Sequence, residues 1–446
     1  LLSLRIEIEE YAHREEFTMS TSAEDLSDIQ LFDVPTLKDP WEAYGRLRDH
    51  APVYLVPGMN VHVVTRYDLL REAIRDTETY SSKFDAFLGG AQQMAFAGAP
   101  EDVQKELARI NEEMIVLPPT MLTLDEPEHT KYRSLVSKLF TASRIKSQEA
   151  AVQAVIDETI DSLGDATEID FMQAFGFPVP LRIISDRLGI PEEDRGFFND
   201  AATAAASGLR LTPIGPEEMV RRAQLALDLQ KMLVRVIEER RSDPRDDMIT
   251  ILGTSTLEEE GRLLTHGECL SILNQFLVAG HETTTSTFGW GMLLLIQNPE
   301  LQDQLRGADP KLIKTFVEEA LRIEAPVQGL PRLVTKDTEL GGYPLKEGEM
   351  IMLRYGAANR DERQFENPDQ VDLHREKAGM QMAFGSGVHH CPGAPLARQE
   401  LNLGFPALLE HMDNIELAPG HADPEAEASF ILRNLPELYI KFDLRN

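Results

Sequence analysis

Apolar residues recur along most of this chain at three- and four-residue spacing, the period of helices that bury one face. Stretches of this kind cover residues 41–50, 67–76, 101–114, 124–140, most of 147–208, 216–241, 266–297 and 310–324. Asp39 stands where it would cap the first of them, and Thr265 where it would cap the longest. Shorter apolar runs read as strands. Residues 52–56 and 61–64 flank the turn Pro57-Gly58-Met59-Asn60 as a hairpin, and 331–353, broken at Gly341-Gly342 and Glu347-Gly348, reads as a small antiparallel sheet. Strand-like pieces at 428–432 and 437–442 close the chain. The pattern predicts a mainly α protein with a small antiparallel β part. Residues 79–122 are less regular, and a long loop inside a compact chain is usually functional.

Composition narrows the function. The 446 residues include 75 acidic and 44 basic side chains, a formal net charge of -31. Such a chain repels nucleic acid and anionic lipid, so partners of those two classes are not expected. Cys269 and Cys391 are the two cysteines, too few for a disulfide framework or a thiolate zinc site, and they suit a reducing, cytoplasmic compartment. No apolar run approaches the roughly 18–20 residues of a membrane span. The chain opens on Leu1, and Met19-Ser20-Thr21-Ser22 has the form of a natural start. Residues 1–18 are therefore expected to be a non-native or disordered extension, and 19–446 one domain.

Two stretches break local rules in ways that suggest chemistry, and two pairs of polar residues share helical faces. In Phe384-Gly385-Ser386-Gly387-Val388-His389-His390-Cys391-Pro392-Gly393, a cysteine sits among glycines just ahead of a helix-like run. Pro392 suits a first helical position, and the positive end of the helix dipole would lower the thiol pKa. Glycines let the backbone lie against something flat. A thiolate on haem iron and a buried structural cysteine are the two readings of these residues. Within the helix of 266–297, Ala279-Gly280-His281-Glu282-Thr283-Thr284-Thr285 places a carboxylate and threonines where helix propensity disfavours them. A helix–helix contact with a salt-bridged Glu282, or a catalytic groove, would each explain it. Glu319 and Arg322 lie three apart on one helical face, and His129 and Arg133 lie four apart on another.

Together these motifs resemble the cytochrome P450 family. Phe384, Gly387, His389, Cys391 and Gly393 match its haem-binding loop, and Ala279, Gly280, Glu282 and Thr283 match its oxygen-binding groove. Glu319, Arg322 and Arg375 match its structural ion-pair lock; His129, Arg133 and Arg332 match its propionate contacts. The resemblance implies a triangular-prism fold that is mainly α, and haem b with Cys391 as axial iron ligand. It also implies that Glu282 relays protons while Thr283 assists dioxygen activation. One oxygen atom would enter a C–H bond of a terpenoid, steroid, alkyl or aromatic substrate. Electrons would come from a ferredoxin-type partner docking near Lys131, Arg133, Lys138 and Arg398, and the protein would act as a monomer. A peroxide-using peroxygenase and a non-catalytic haem sensor share parts of the pattern. The substrate cavity is expected around Phe84, Phe87, Met94, Phe96, Met121, Leu122 and Ile431, with Arg210 the cation available to a carboxylate. His281 has no role in this reading.

Overall fold

The computed structural model describes residues 25–85, 98–207, 214–257 and 260–445. The extension 1–18 and the expected cavity residues Phe87, Met94, Phe96 and Arg210 lie outside them. The expected hairpin forms from β1 (Val53–Leu55) and β2 (Val61–Val64). It joins a five-stranded sheet with β3 (Tyr80–Ser81), β4 (Gly329–Val334) and β5 (Met350–Arg354), ordered β1-β2-β5-β4-β3. All its pairs are antiparallel except β2 with β5, which run parallel. That contact is made between segments far apart in the chain, so hairpin spacing did not reveal it.

Helices make up most of the rest. Those that position the site are α1 (Trp41–His50), α2 (Tyr67–Arg75), α3 (Glu128–Ser137), α4 (Pro178–Leu188), α5 (His266–Gln297), α6 (Pro310–Ile323) and α7 (Ala394–His411). Asp39 does not cap α1. Pro40 holds that place without a side-chain bond, and the Asp39 amide instead closes the preceding helix on the Pro35 carbonyl. Helix α3 ends at Ser137, short of the expected Phe140, where the chain tightens into successive i→i−3 turns.

The start of α5 is strongly capped. Thr265 accepts from the Glu268 amide, and the Glu268 carboxylate accepts from the Thr265 amide at 2.7 Å, a capping box. Arg262 and Tyr132 add bonds to the same carboxylate. Burial would raise the Glu268 pKa, but these partners outweigh it and hold the group down to about 2. Its stabilising effect is full above the ordinary carboxylate value of about 4.5 and is lost as pH falls through about 2. Glu268→Gln should cost about 1.5–3 kcal/mol at neutral pH. In denaturant titrations at stepped pH, its deficit against the wild type should shrink between pH 4.5 and 2.

Helices α5 and α7 interlock at the centre of the largest core cluster. Phe288 of α5 covers Gly404 of α7, where an added Cβ would meet the ring at 2.6 Å. Phe405 of α7 covers Gly291 of α5 more closely still. The two rings lie 5.4 Å apart, and Phe316 of α6 stands edge-on to Phe405 at 5.1 Å. Backbone approaches of this kind require glycine. Gly291→Ala should therefore overpack the core and cost about 1–3 kcal/mol, read as a lower midpoint in thermal melting.

Candidate active site

The cysteine loop is shaped by its glycines. Gly385 and Gly387 take φ of 65° and 67°, the left-handed region other residues avoid, and the Cys391 amide closes the turn on the Phe384 carbonyl at 2.9 Å. Helix α7 begins at Ala394 with Gly393 as N-cap, so the proline in its first turn is Pro395 and not Pro392. The physical reason lies at the sulfur. The backbone of Gly393 and Ala394 favours the charged form of the Cys391 sulfur, and the Ala394 amide closes a turn on the Cys391 carbonyl at 3.5 Å between the cysteine and the helix. Arg133 and Arg398 also bear electrostatically on this sulfur. Burial nevertheless pushes the thiol pKa up, against the expectation that the helix start would lower it. On protein contacts alone desolvation wins. A cation bonded to the sulfur reverses that balance, since coordination deprotonates a thiol outright.

A polar corner assembles beside the loop from four separate segments. The His129 ring lies 4.3 Å from that of His389, and Ser82 Oγ lies 2.9 Å from His389 Nε2. Asp125 fixes this serine strand by accepting from the Ser82 amide at 2.7 Å and from the Ser81 hydroxyl at 2.5 Å. Arg332, buried on β4, and Arg133 both act on His389. Burial first, then Arg332 and His129, push the His389 pKa down to about 3, so the imidazole is neutral at ordinary pH. His129 is 1% exposed, and its Nε2 has no hydrogen-bond partner among the described residues. A buried imidazole nitrogen left without a partner, in a corner held by two arginines, fits an anionic group such as a haem propionate.

On α5, only some of the expected groove residues face open space. Ala279 is exposed and Thr283 partly so, in the middle of an otherwise buried helix. The Thr283 hydroxyl donates to the Ala279 carbonyl at 3.0 Å and Thr287 to the Thr283 carbonyl at 2.8 Å, back-bonding that loosens the helix ladder at this point. Gly280 turns the other way, against α4. An added Cβ there would meet Ile184 at 2.9 Å, so this glycine serves helix packing, not approach to a flat ligand. Glu282 is 3% exposed and also points inward, with Oε1 accepting from Asn434 Nδ2 at 2.6 Å.

The residues Glu319, Arg322 and Arg375 meet. Arg322 Nε donates to Glu319 Oε1 at 2.7 Å and Arg375 Nε to the same oxygen at 2.9 Å, with Glu319 and Arg322 fully buried. Arg322 also donates to the carbonyls of Asn359, Pro368 and Gln370, which pins the segment leading to the cysteine loop. Its neighbour Glu318, not singled out from sequence, accepts from Arg398 at 2.5 and 3.0 Å and from Gln381 at 3.1 Å. Arg398 further lies over the Phe384 ring at 4.4 Å, and Arg133 donates to the His390 carbonyl. Two of the four cations expected to meet a redox partner are thus committed within the molecule, while Lys138 is exposed. Of the expected cavity residues, Phe84, Met121 and Ile431 are buried and Leu122 is 39% exposed.

A family model described as Cytochrome P450 matches residues 207–442. The chain is 32% identical to Cytochrome P450 107B1 of Saccharopolyspora erythraea over 423 residues, 94% of this chain and 98% of that protein. It is 31% identical to the 6-deoxyerythronolide B hydroxylase of the same organism, covering 91% and 96%. The solved structure of CYP109E1 from Bacillus megaterium in complex with corticosterone matches with a TM-score of 0.77 at 27% identity, over 91% of this chain and 99% of that one. The chain belongs to the cytochrome P450 family. It is a monooxygenase of the bacterial type, and its cofactor is haem b. No helix among the described residues is long and apolar enough to cross a membrane.

Proposed function

We propose that the protein inserts one atom of dioxygen into a C–H bond of a small-to-medium apolar molecule, with electrons from a ferredoxin and its reductase. Cys391 is the haem iron ligand in this reading, and its place in the glycine-shaped loop directly ahead of α7 is the observation that carries it. Bound haem supplies the centre at which dioxygen is reduced. The protein's part is to hold the cofactor and to move protons. His129, His389, Arg133 and Arg332 form the polar corner for the propionates, and the neutral His389 donates or accepts without adding charge. Thr283 offers a hydroxyl to dioxygen at the loosened turn of α5, and Glu282 behind it exchanges the proton with the interior. The buried Glu319–Arg322–Arg375 cluster keeps the segment before the loop in place. Relatives include a hydroxylase of 6-deoxyerythronolide B and a structure with bound corticosterone, which supports an apolar ring system as substrate. The electron donor meets a face that includes the exposed Lys138.

Product formation that depends on NADH, reductase and ferredoxin together is the expected result. Glu282→Gln should slow product formation and dioxygen uptake roughly 100-fold, and Thr283→Ala should lower product per NADH roughly 100-fold and release peroxide instead, with the haem spectrum retained in both. Equal rates with hydrogen peroxide alone, and no loss in either variant, would favour the peroxygenase. Screening steroids and macrocycles for the low-spin to high-spin shift of the haem band identifies the substrate class.

A further inference from the structure

We infer that Asn434 is a positioning residue for Glu282, and that the C-terminal loop carrying it is built to hold that carboxylate in register with Thr283. The inference rests on the proton-relay role proposed for Glu282. The first observation is the bond itself: Asn434 Nδ2 donates to Glu282 Oε1 at 2.6 Å with both side chains buried. A carboxylate only accepts, so it dictates which end of the amide faces it. Asn434 Oδ1 has no partner among the described residues, so no competing bond sets the side chain's orientation. The other carboxylate oxygen, Oε2, lies 3.9 Å from His281 Nε2, and His281 Nδ1 lies 2.8 Å from the Leu277 carbonyl. That carbonyl has no hydrogen to give, so Nδ1 is the donor of this bond.

The second observation is how firmly the backbone beside Asn434 is tied to α5. The Arg433 carbonyl accepts from the Ser286 hydroxyl and from Trp290 Nε1 at 3.0 Å, and both donors are on α5. Its guanidinium is paired with Glu324, donates to the Lys38 carbonyl at 2.8 Å, and lies over the rings of Trp41 and Trp290 at 4.8 and 4.5 Å. The Asn434 carbonyl accepts from the Glu427 amide at 2.9 Å. Arg433 and Asn434 are both buried, so this anchoring belongs to an interior segment. It fixes the amide of Asn434 relative to the helix that bears Glu282 and Thr283, which is the support a proton-handling carboxylate requires when a small misplacement is costly.

The test uses the haem-loaded protein with ferredoxin and reductase, and dioxygen as the probe with no organic substrate added. Asn434→Leu removes the donor at similar volume, Asn434→Gln keeps an amide, and Glu282→Gln is the benchmark. Asn434→Leu is expected to slow dioxygen consumption about ten-fold and to raise the solvent deuterium isotope effect, with Asn434→Gln recovering most of the rate. In infrared difference spectra of the resting protein, the carboxylate band lost in Glu282→Gln should shift in Asn434→Leu. If Glu282→Gln slows dioxygen consumption while Asn434→Leu leaves rate, isotope effect and band unchanged, the inference is overturned and the relay stands. If Glu282→Gln itself has no effect on rate or isotope effect, the relay reading fails. A lowered melting temperature in Asn434→Leu with an unmoved carboxylate band identifies a structural role and also overturns the inference.

Discussion

Cys391→Ala is expected to end product formation altogether, a loss well beyond the roughly 100-fold that changes around a metal site bring. The argument starts from the protein's own forces. Burial raises the thiol pKa, and only the two amides and the two nearby arginines favour the charged sulfur. A raised thiol does not by itself mark an iron ligand, since burial raises the Cys269 thiol too; the glycine-shaped loop ahead of α7 and the family match single out Cys391. Removing it takes away the ligand that Cys391 would give the haem iron. The polar corner remains, and His129, Arg133, Arg332 and His389 should still retain haem. The measurement is paired: haem content by absorbance and product formation under NADH, ferredoxin and reductase. Retained haem with lost turnover is expected, and retained turnover would remove Cys391 from the mechanism.

The second large effect lies in stability. Arg322→Ala should destabilise the protein by about 3–5 kcal/mol, because it leaves the Glu319 carboxylate buried with Arg375 as its one remaining cation. The Asn359 and Pro368 carbonyls would lose their Arg322 donor as well, and that of Gln370 would keep only its bond from Arg375. This segment leads into the cysteine loop, so haem should be lost at lower denaturant than in the wild type. Replacing Glu319 and Arg322 together by leucine and methionine should cost less than Arg322→Ala, since the fully buried carboxylate is then gone, while Arg375 loses its carboxylate but keeps its bonds to the Glu366, Asn367 and Gln370 carbonyls. Denaturant titration followed by both far-ultraviolet ellipticity and haem absorbance checks the pair. Equal stabilities of the single and double variants would contradict the argument.

How much of this was legible in the sequence depended on the range of the interaction. Helix α5 shows in the chain as an apolar run from a capping threonine, and its observed bounds are His266–Gln297. The cysteine loop reveals its glycines and their turns. Gly280 illustrates the limit: a small residue in a groove motif looks the same whether it faces a ligand or a neighbouring helix, and only Ile184 of α4 decides it. Arg398 looked available for a partner until Glu318, 80 residues earlier, was seen to hold it. Ser82 and His389 are separated by 307 residues and Asn434 and Glu282 by 152, with no periodicity linking either pair. The thiol pKa failed for a different reason. A helix dipole can be read from a sequence, whereas the desolvation that outweighs it depends on burial.

The most direct test of the central claim is the reduced carbon monoxide spectrum of the purified protein, taken with Cys391→His beside it. A thiolate opposite the carbon monoxide strongly shifts the haem band to longer wavelength. The wild type is expected to show the shifted band, and Cys391→His to bind haem and show the ordinary one. An ordinary band in freshly reduced wild-type protein, or a shifted band that survives in Cys391→His, would contradict the assignment of Cys391 as the iron ligand.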